Sequence, residues 1–182
     1  TGYYTITVVR EAFGQLASHL TWIRRLSEPG EDKRLRQHPD YIQKLSKFLA
    51  EVDFSKPREL ENMANWLQGS MRQLVSNCQL RYFVELSPDE QVGEQHVELG
   101  LSMSERFDRI GRTEMIDDFT VAVAGDLGWS EPAPLERSNK TNNNYGLDVN
   151  CERVRRALEP LVRYDLMFLD ALNAPANKRM AK

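Results

Sequence analysis

The sequence predicts a helix-rich α/β fold with a parallel sheet, and two neighbouring stretches indicate it. Residues 3–9 are aromatic and β-branched with little polar alternation, which is typical of a strand buried on both faces of a parallel sheet. After Arg10, apolar side chains recur at spacings of three and four from Phe13 to Ile23, which predicts an amphipathic helix. A strand that is followed directly by a helix is typical of α/β folds.

The later elements follow from periodicity and from helix start and stop signals. A helix starts at Pro39 or Asp40 and ends before Pro57. The other predicted elements are helices over 58–77, 113–127, 150–158 and 161–169, with Pro160 between the last two, a short strand over 96–101 and a loop over 132–146.

Size and composition predict a single domain over residues 1–174 with a flexible tail over 175–182. Of the 182 residues 41% are hydrophobic, the net charge is −3 and the pI is near 5.7, which argues against nucleic acid as a partner. No apolar run reaches the roughly 20 residues of a membrane span. We therefore expect a cytoplasmic protein, or a lumenal one if an upstream membrane anchor has been removed.

Metal chemistry is not expected from the residue pattern. Cys78 and Cys151 have no metal-type spacing, and two reduced thiols are favoured over one disulfide. Four acidic residues could form paired carboxylates for acid–base chemistry or a metal, but a solvated helix face is the favoured interpretation. They are Glu105, Asp108, Asp117 and Asp118.

Arg10 is the first candidate for ligand binding. It stands between the predicted strand and helix, and anions collect at the carboxyl ends of strands and at helix N-termini. Ser18 lies about two turns into the helix, where its hydroxyl could bind the same anion. In the alternative interpretation, Arg10 pairs with a carboxylate and Ser18 faces solvent.

Residues 8–19, VVREAFGQLASH, resemble the segment by which carbohydrate-type sulfotransferases hold the 3′-phosphate of 3′-phosphoadenosine 5′-phosphosulfate (PAPS). In that family a strand is followed by Arg-Asp-Pro, a spacer, and Leu-x-Ser with an aromatic residue or His. This chain has the arginine at Arg10 and the serine at Ser18, while Glu11 and Ala12 depart from Asp-Pro.

Three further segments resemble the same family, in the same order along the chain. Residues 77–83, NCQLRYF, are similar to its Asn-x-Gln-x-Arg-Tyr passage, and residues 100–108, GLSMSERFD, are similar to its Val-Gly-Leu-Thr-Glu-Arg-Phe-Asp phrase, in which a strand passes into a helix. Residues 139–141, NKT, match an Asn-x-Ser/Thr loop that folds over the nucleotide, although they also form a glycosylation sequon.

The resemblance implies a P-loop nucleotide-binding-like sulfotransferase fold and transfer of a sulfuryl group from PAPS to a hydroxyl or amine. The acceptor would be a small molecule or a saccharide, and no metal is required. The resemblance also implies which residues bind the donor, namely Arg10, Ser18, Asn139, Lys140 and Thr141.

One family feature has no counterpart here. The glycine- and lysine-containing phosphate loop, expected before Thr1, is not in the sequence, so the chain resembles the carboxyl-terminal portion of such a domain. No catalytic residue is assigned. His19 is the one histidine worth testing as a base, although a packing or phosphate-side role is favoured. A noncatalytic sulfotransferase-like scaffold and another nucleotide-dependent phosphotransferase are the alternative functions.

Overall fold

The computed structural model describes residues 2–87, 90–130, 132–135 and 145–174, and these form a helix-rich α/β arrangement. Two strands and a series of helices of very different length make up the described part. In chain order they are β1 (Ile6–Val9), α1 (Ala12–Arg25), α2 (Asp32–Leu35), α3 (Asp40–Glu51), α4 (Pro57–Trp66), α5 (Gly69–Val75), α6 (Leu80–Phe83), α7 (Glu94–Ser104), β2 (Arg109–Arg112), a 3₁₀ turn (Thr113–Met115), α8 (Ile116–Leu127) and α9 (Glu152–Asn173).

The predicted parallel pairing is confirmed. β1 pairs with β2 from Ile6 opposite Arg109 to Val9 opposite Arg112. Burial of β1 on both faces is wrong, because Ile6 is 45% exposed and Val8 39% exposed. The reason is that β2 is the only strand paired with β1 in the described residues, and the face of β1 that carries Ile6 and Val8 is only partly covered.

The apolar core is built around α1. The stripe predicted for this helix is buried as expected, with Phe13, Leu16, Leu20 and Ile23 almost inaccessible to solvent. α1 packs against α3 and α9, and α9 also packs against α4 and α7. The longest helix of the described part therefore joins the two sides of the core. None of the helices in these residues combines the length and the apolar character needed to cross a bilayer.

The helix predicted over 58–77 is two helices. α4 ends at Trp66 and α5 begins at Gly69. Leu67 and Gln68 between them have extended backbone, and Gly69 has a φ of +51°, a left-handed conformation that glycine adopts without steric cost. The side chain of Leu67 is buried, so the break keeps this residue in the core while the chain changes direction.

The strand predicted over 96–101 is wrong, because these residues lie within α7. The alternation of polar and apolar residues misleads here, since His96 is buried at the start of the helix and its Nδ1 accepts a hydrogen bond from the Gly93 amide at 2.9 Å. Gly100 faces α6 and α9, where a Cβ would come within 2.4 Å of Leu80. The phrase that residues 100–108 resemble has a strand followed by a helix. In the structure the order is reversed, because helix α7 precedes strand β2.

The two helices predicted around Pro160 form the single helix α9. A proline inside a helix removes one backbone hydrogen bond and crowds the preceding turn. Asn77 lies in the turn before α6 and binds the backbone of α9 in the turn that follows Pro160. Its Oδ1 accepts from the amides of Tyr164 at 2.9 Å and Asp165 at 3.2 Å, and its own amide donates to the Leu161 carbonyl at 2.7 Å.

We predict that Asn77→Ala lowers the free energy of unfolding by about 1–3 kcal/mol, because two hydrogen bonds between Asn77 and the backbone of α9 are lost and each contributes about 0.5–1.5 kcal/mol. Asn77 also has a φ of +46°, so Asn77→Gly separates the lost acceptor from backbone strain. Urea denaturation of both variants measures the effect. The exposed Asn62→Ala serves as control, and an equal loss of stability in the control would contradict the role of Asn77.

Candidate functional site

The candidate site lies at the junction of β1 and α1, where Arg10 is fixed through its backbone. The side-chain amide of Gln79 binds both backbone groups of Arg10: Oε1 accepts from the Arg10 amide at 2.8 Å, and Nε2 donates to the Arg10 carbonyl. Gln79 is buried, which limits the movement of its side chain. The junction is therefore held in place by the turn that precedes α6.

The side chain of Arg10 lies over Gly14. A Cβ on Gly14 would be 3.5 Å from Arg10 Nε and 4.0 Å from one of the terminal guanidinium nitrogens. Ser18 follows Gly14 by four residues and so lies on the same face of α1. The guanidinium makes no hydrogen bond or ion pair with any residue that the structure describes. Arg10 and Ser18 thus share one helix face, on which the arginine charge is available.

The N-terminus of α1 is already occupied by Glu11. Its Oε2 accepts from the Gly14 amide at 2.6 Å, and its Oε1 accepts from Arg155 Nη2 at 3.1 Å. The Glu11 amide in turn donates to Glu114 Oε1 at 2.9 Å. The Gly14 amide, one of the free donors expected at the start of a helix, is therefore taken up by the Glu11 carboxylate, whose Oε2 also lies 3.3 Å from the position of a Cβ on Gly14.

His19 is half-buried beside this face and has contacts at both ring nitrogens. Its Nε2 lies 3.0 Å from Gln15 Nε2, and its Nδ1 lies 3.5 Å from Cys78 Sγ. Since the Gln15 amide nitrogen can only donate, Nε2 is the acceptor and Nδ1 carries the proton. Burial lowers the pKa of His19; a hydrogen bond with the Leu74 backbone opposes this, and the charge of Arg10 adds to it. The imidazole is neutral at pH 7.

Cys78 is a buried thiol and not a nucleophile. Its Sγ donates to the Leu74 carbonyl at 3.2 Å. Burial, together with the negative charge of Asp165, raises the pKa of Cys78 to about 12, so the reactive thiolate is not populated at neutral pH. Both Cys78 and Cys151 are free.

Asp165 lies behind the junction and anchors the turn that holds Gln79. It is 1% exposed; its Oδ1 accepts from the Leu80 amide at 2.8 Å, and its Oδ2 accepts from the Gln79 amide at 3.2 Å. Burial raises the pKa of Asp165 to about 6, although the two amide hydrogen bonds and the charge of Arg81 act in the opposite direction. Desolvation therefore outweighs the favourable contacts of the carboxylate.

Sequence reasoning missed both Asp165 and Gln79. A signal for Asp165 was present, because it occupies the same helical stripe as Leu158, Leu161 and Phe168, where a carboxylate is buried only if it is hydrogen-bonded. Gln79 was part of a segment quoted for its resemblance, but its contact with Arg10 spans 69 positions. Such a contact has no local signature.

Asn139, Lys140 and Thr141 lie outside the described residues, as does the tail over 175–182. The flanks of the loop are described. The Leu135 amide donates to Asp117 Oδ1 at 3.0 Å, at the start of α8, and Tyr145 donates to Glu28 Oε1 at 2.6 Å, just beyond α1.

Of the acidic residues considered for metal or acid–base chemistry, Asp108 and Asp117 accept hydrogen bonds from other described residues. Asp108 Oδ2 accepts from the amide and the hydroxyl of Thr5 at 2.7 and 2.9 Å, which joins the start of β1 to the start of β2. Within the described ranges, no three His, Cys, Asp or Glu side chains are grouped so that they could hold a metal ion.

Comparisons of the chain with protein-family models, with curated proteins and with solved structures gave no match. The family is therefore not shown by these comparisons, and any function has to be argued from the residues and their geometry.

We predict that Asp165 makes the stability of the protein pH-dependent. Its folded-state pKa of about 6 lies above the ordinary value of 3.8, so its contribution to stability is fully present below pH 3.8 and is lost as the pH rises through 6. At about 1.4 kcal/mol for each pH unit between the two values, the loss amounts to about 3 kcal/mol.

The measurement is the unfolding free energy of the parent minus that of Asp165→Asn at each pH, because this difference cancels the titration of the other carboxylates. The amide of the variant cannot accept from both backbone donors, which adds an offset that does not change with pH. A difference that stays constant between pH 4 and 7 would contradict the buried, titrating carboxylate.

Proposed function

We propose that this chain is part of a PAPS-dependent sulfotransferase and binds the 3′-phosphate of the donor at Arg10 and Ser18. The observation that carries the proposal is the junction itself: Arg10 is held through its backbone by Gln79, and its guanidinium, which has no partner among the described residues, lies over Gly14 on the helix face that also carries Ser18. A forked, permanently charged donor next to a hydroxyl is well suited to a phosphate group.

Contacts between the segments that resemble the family add support. The residues of the first segment and those of the second are far apart in the sequence, yet Arg10 and Gln79 bind each other directly. The end of the third segment contacts the start of β1, since Asp108 binds Thr5. The second segment therefore lies at the junction of β1 and α1, whereas the third lies at the other end of β1.

The local chemistry also fits a phosphate. Gly14 has no side chain, the position of a Cβ there would be 3.5 Å from Arg10 Nε and 3.3 Å from Glu11 Oε2, and the charge of Glu11 is paired with Arg155 at 3.1 Å. Arg10 would bind two phosphate oxygens, and the Ser18 hydroxyl would donate to a third. The Asn139–Thr141 segment would close over the nucleotide, and the P-loop nucleotide-binding-like sulfotransferase fold remains part of the proposal.

The reaction would be transfer of the sulfuryl group to a hydroxyl or amine of a small-molecule or saccharide acceptor. By analogy with phosphoryl transfer, catalysis would depend on positioning and charge stabilisation. His19 does not serve as the base in this arrangement, because its Nε2 lone pair accepts from Gln15. No residue of the described part is assigned a catalytic role, and Arg10 and Ser18 act as binding residues.

We predict that Arg10→Ala weakens binding of 3′-phosphoadenosine 5′-phosphate by about 1.5–3 kcal/mol, the range for a charged hydrogen-bond partner. Calorimetric titration measures it. Arg36→Ala removes an equal charge at an exposed position and should leave the affinity unchanged. Adenosine 5′-phosphate, which lacks the 3′-phosphate, should bind parent and Arg10→Ala equally. A similar loss with both nucleotides, or no loss, would refute the assignment of the 3′-phosphate to Arg10.

A second test blocks the proposed binding face with an added side chain and leaves Arg10 and Ser18 in place. We predict that Gly14→Leu reduces the affinity for the same nucleotide about tenfold or more, which corresponds to about 1.4 kcal/mol, because the side chain fills the space between Arg10 and Ser18. Leucine favours a helix over glycine by up to about 1 kcal/mol, which offsets the shift that a Cβ 3.3 Å from Glu11 Oε2 requires, so we expect little change in the melting temperature. Gly125→Leu in α8, where the added Cβ has open space, is the control. Full affinity in Gly14→Leu would place the nucleotide elsewhere.

A further inference from the structure

A second polar site lies on the other side of the turn that precedes α6. It is a pocket of about 330 Å³ between α5, this turn, α6 and the first half of α9. Three arginines from three different helices line it, Arg72, Arg81 and Arg163, together with Asn77, Glu159 and Tyr164. No sequence pattern pointed to this pocket, because its charges are brought together only by the packing of α9 against the turn.

Two of the arginines are fixed by backbone carbonyls. Arg72 Nη1 donates to the Ala64 carbonyl at 3.0 Å, and Arg81 Nε donates to the Ser76 carbonyl at 3.1 Å. Within the described residues, the two terminal nitrogens of Arg81 have no hydrogen-bond partner. Side chains held in this way lose little additional freedom when they bind a ligand, so their remaining donors are preorganised.

The third arginine and the one acidic residue of the lining form a loose pair. Arg163 Nε lies 3.9 Å from Glu159 Oε1, which is beyond hydrogen-bond distance. Among the described residues that line the pocket, Glu159 is the only acidic one, against three arginines. The pocket is therefore positively charged, although the chain as a whole carries a net charge of −3.

Asn77 adds a neutral donor to the wall of the pocket. It is 5% exposed, and its Oδ1 is taken up by the amides of Tyr164 and Asp165. Its NH₂ group makes no hydrogen bond with any described residue, yet it is not among the atoms sealed off from solvent without a partner. Asn77 is one of the residues that line the pocket, and we assign its NH₂ group as the donor on this wall.

We propose that this pocket binds the phosphate or sulfate monoester group of a small organic molecule. The guanidinium forks of Arg72, Arg81 and Arg163 and the amide of Asn77 supply donors from several directions, as a tetrahedral oxyanion requires. Val92, Pro160 and Tyr164 form the less polar part of the wall and would contact the organic group. This inference does not depend on the sulfotransferase proposal, since it shares no ligand-binding residue with the Arg10 site.

The test is titration with phenyl phosphate, with phenyl sulfate in a parallel series, followed by amide chemical shifts and by calorimetry. We expect saturable binding in the millimolar range or tighter, with shifts concentrated in residues 72–81 and 159–164. The two probes distinguish the preferred ester, because only the phosphate monoester carries a second negative charge near neutral pH. Absence of saturable binding with both probes would overturn the proposal.

A matched pair of variants in α9 tests the location. Arg163→Glu reverses an exposed charge in the pocket and should weaken binding about tenfold or more, as expected for loss of a charged partner. Arg156→Glu makes the same change in net charge at an exposed position whose partner is Glu152, outside the pocket, and should alter the affinity by less than about twofold. Equal weakening in both variants would show a general charge effect and would overturn the proposal.

Arg10→Ala separates this site from the candidate donor site. Phenyl phosphate should bind Arg10→Ala as it binds the parent. If Arg10→Ala abolishes binding of the probe and Arg163→Glu does not, the oxyanion occupies the junction of β1 and α1, and the pocket proposal fails while the donor-site proposal stands. If only Arg163→Glu weakens binding of the probe, and Arg10→Ala leaves nucleotide binding intact, the pocket proposal stands and the donor-site proposal fails.

Discussion

The structure depends on one buried carboxylate. Asp165, in the middle of α9, accepts hydrogen bonds from the amides of Gln79 and Leu80 and thereby fixes the turn that precedes α6. Taking this carboxylate out of water is unfavourable, as its raised pKa indicates. Its contribution is therefore geometric. It determines where Gln79 lies, and Gln79 in turn binds both backbone groups of Arg10.

The same turn separates two positively charged regions. Asn77 and Arg81 line the pocket beside α9, whereas Cys78 contacts His19, and Gln79 contacts Arg10 on the side of α1. Three consecutive residues of the turn thus contribute to opposite sides of it. Because Asn77 and Asp165 are both buried and hydrogen-bonded across the same interface, a change at either of them should disturb both regions together, while a change at Arg10 or Arg163 should affect only one.

The elements that were predicted correctly are those whose pattern is local. The stripe of α1, the helix that starts at Asp40 and the parallel pairing of β1 follow from spacing and residue type. The wrong predictions concern segments whose secondary structure depends on residues far away in the sequence. Pro160 indicates a helix break, but Asn77 binds the following turn of α9 and the helix continues. The alternation over 96–101 indicates a strand, but α6 and α9 pack against Gly100, and His96 caps its own helix.

For the candidate site, the sequence placed Arg10 between a strand and a helix and Ser18 about two turns into that helix, and the structure describes the Arg10 side chain over Gly14, four residues before Ser18. What the sequence could not provide is the support of the site. Gln79 and Asp165 act over separations of 69 and 86 positions, and the pocket with the three arginines exists only because α5, α6 and α9 meet. Charged side chains that are far apart in the chain give no joint signal in a single sequence.

The departure from the Asp-Pro pair at Glu11 and Ala12 also has a structural interpretation. Glu11 occupies the N-cap position of α1, and its Oε2 accepts from the Gly14 amide at 2.6 Å, so a glutamate performs the capping that short polar residues usually perform. Ala12 is the first helical residue, a position that proline favours but does not require. Glu11 and Ala12 are thus both compatible with the start of a helix. The direction in which Arg10 leaves the strand is therefore set by the cap and by Gln79, and it does not need a proline.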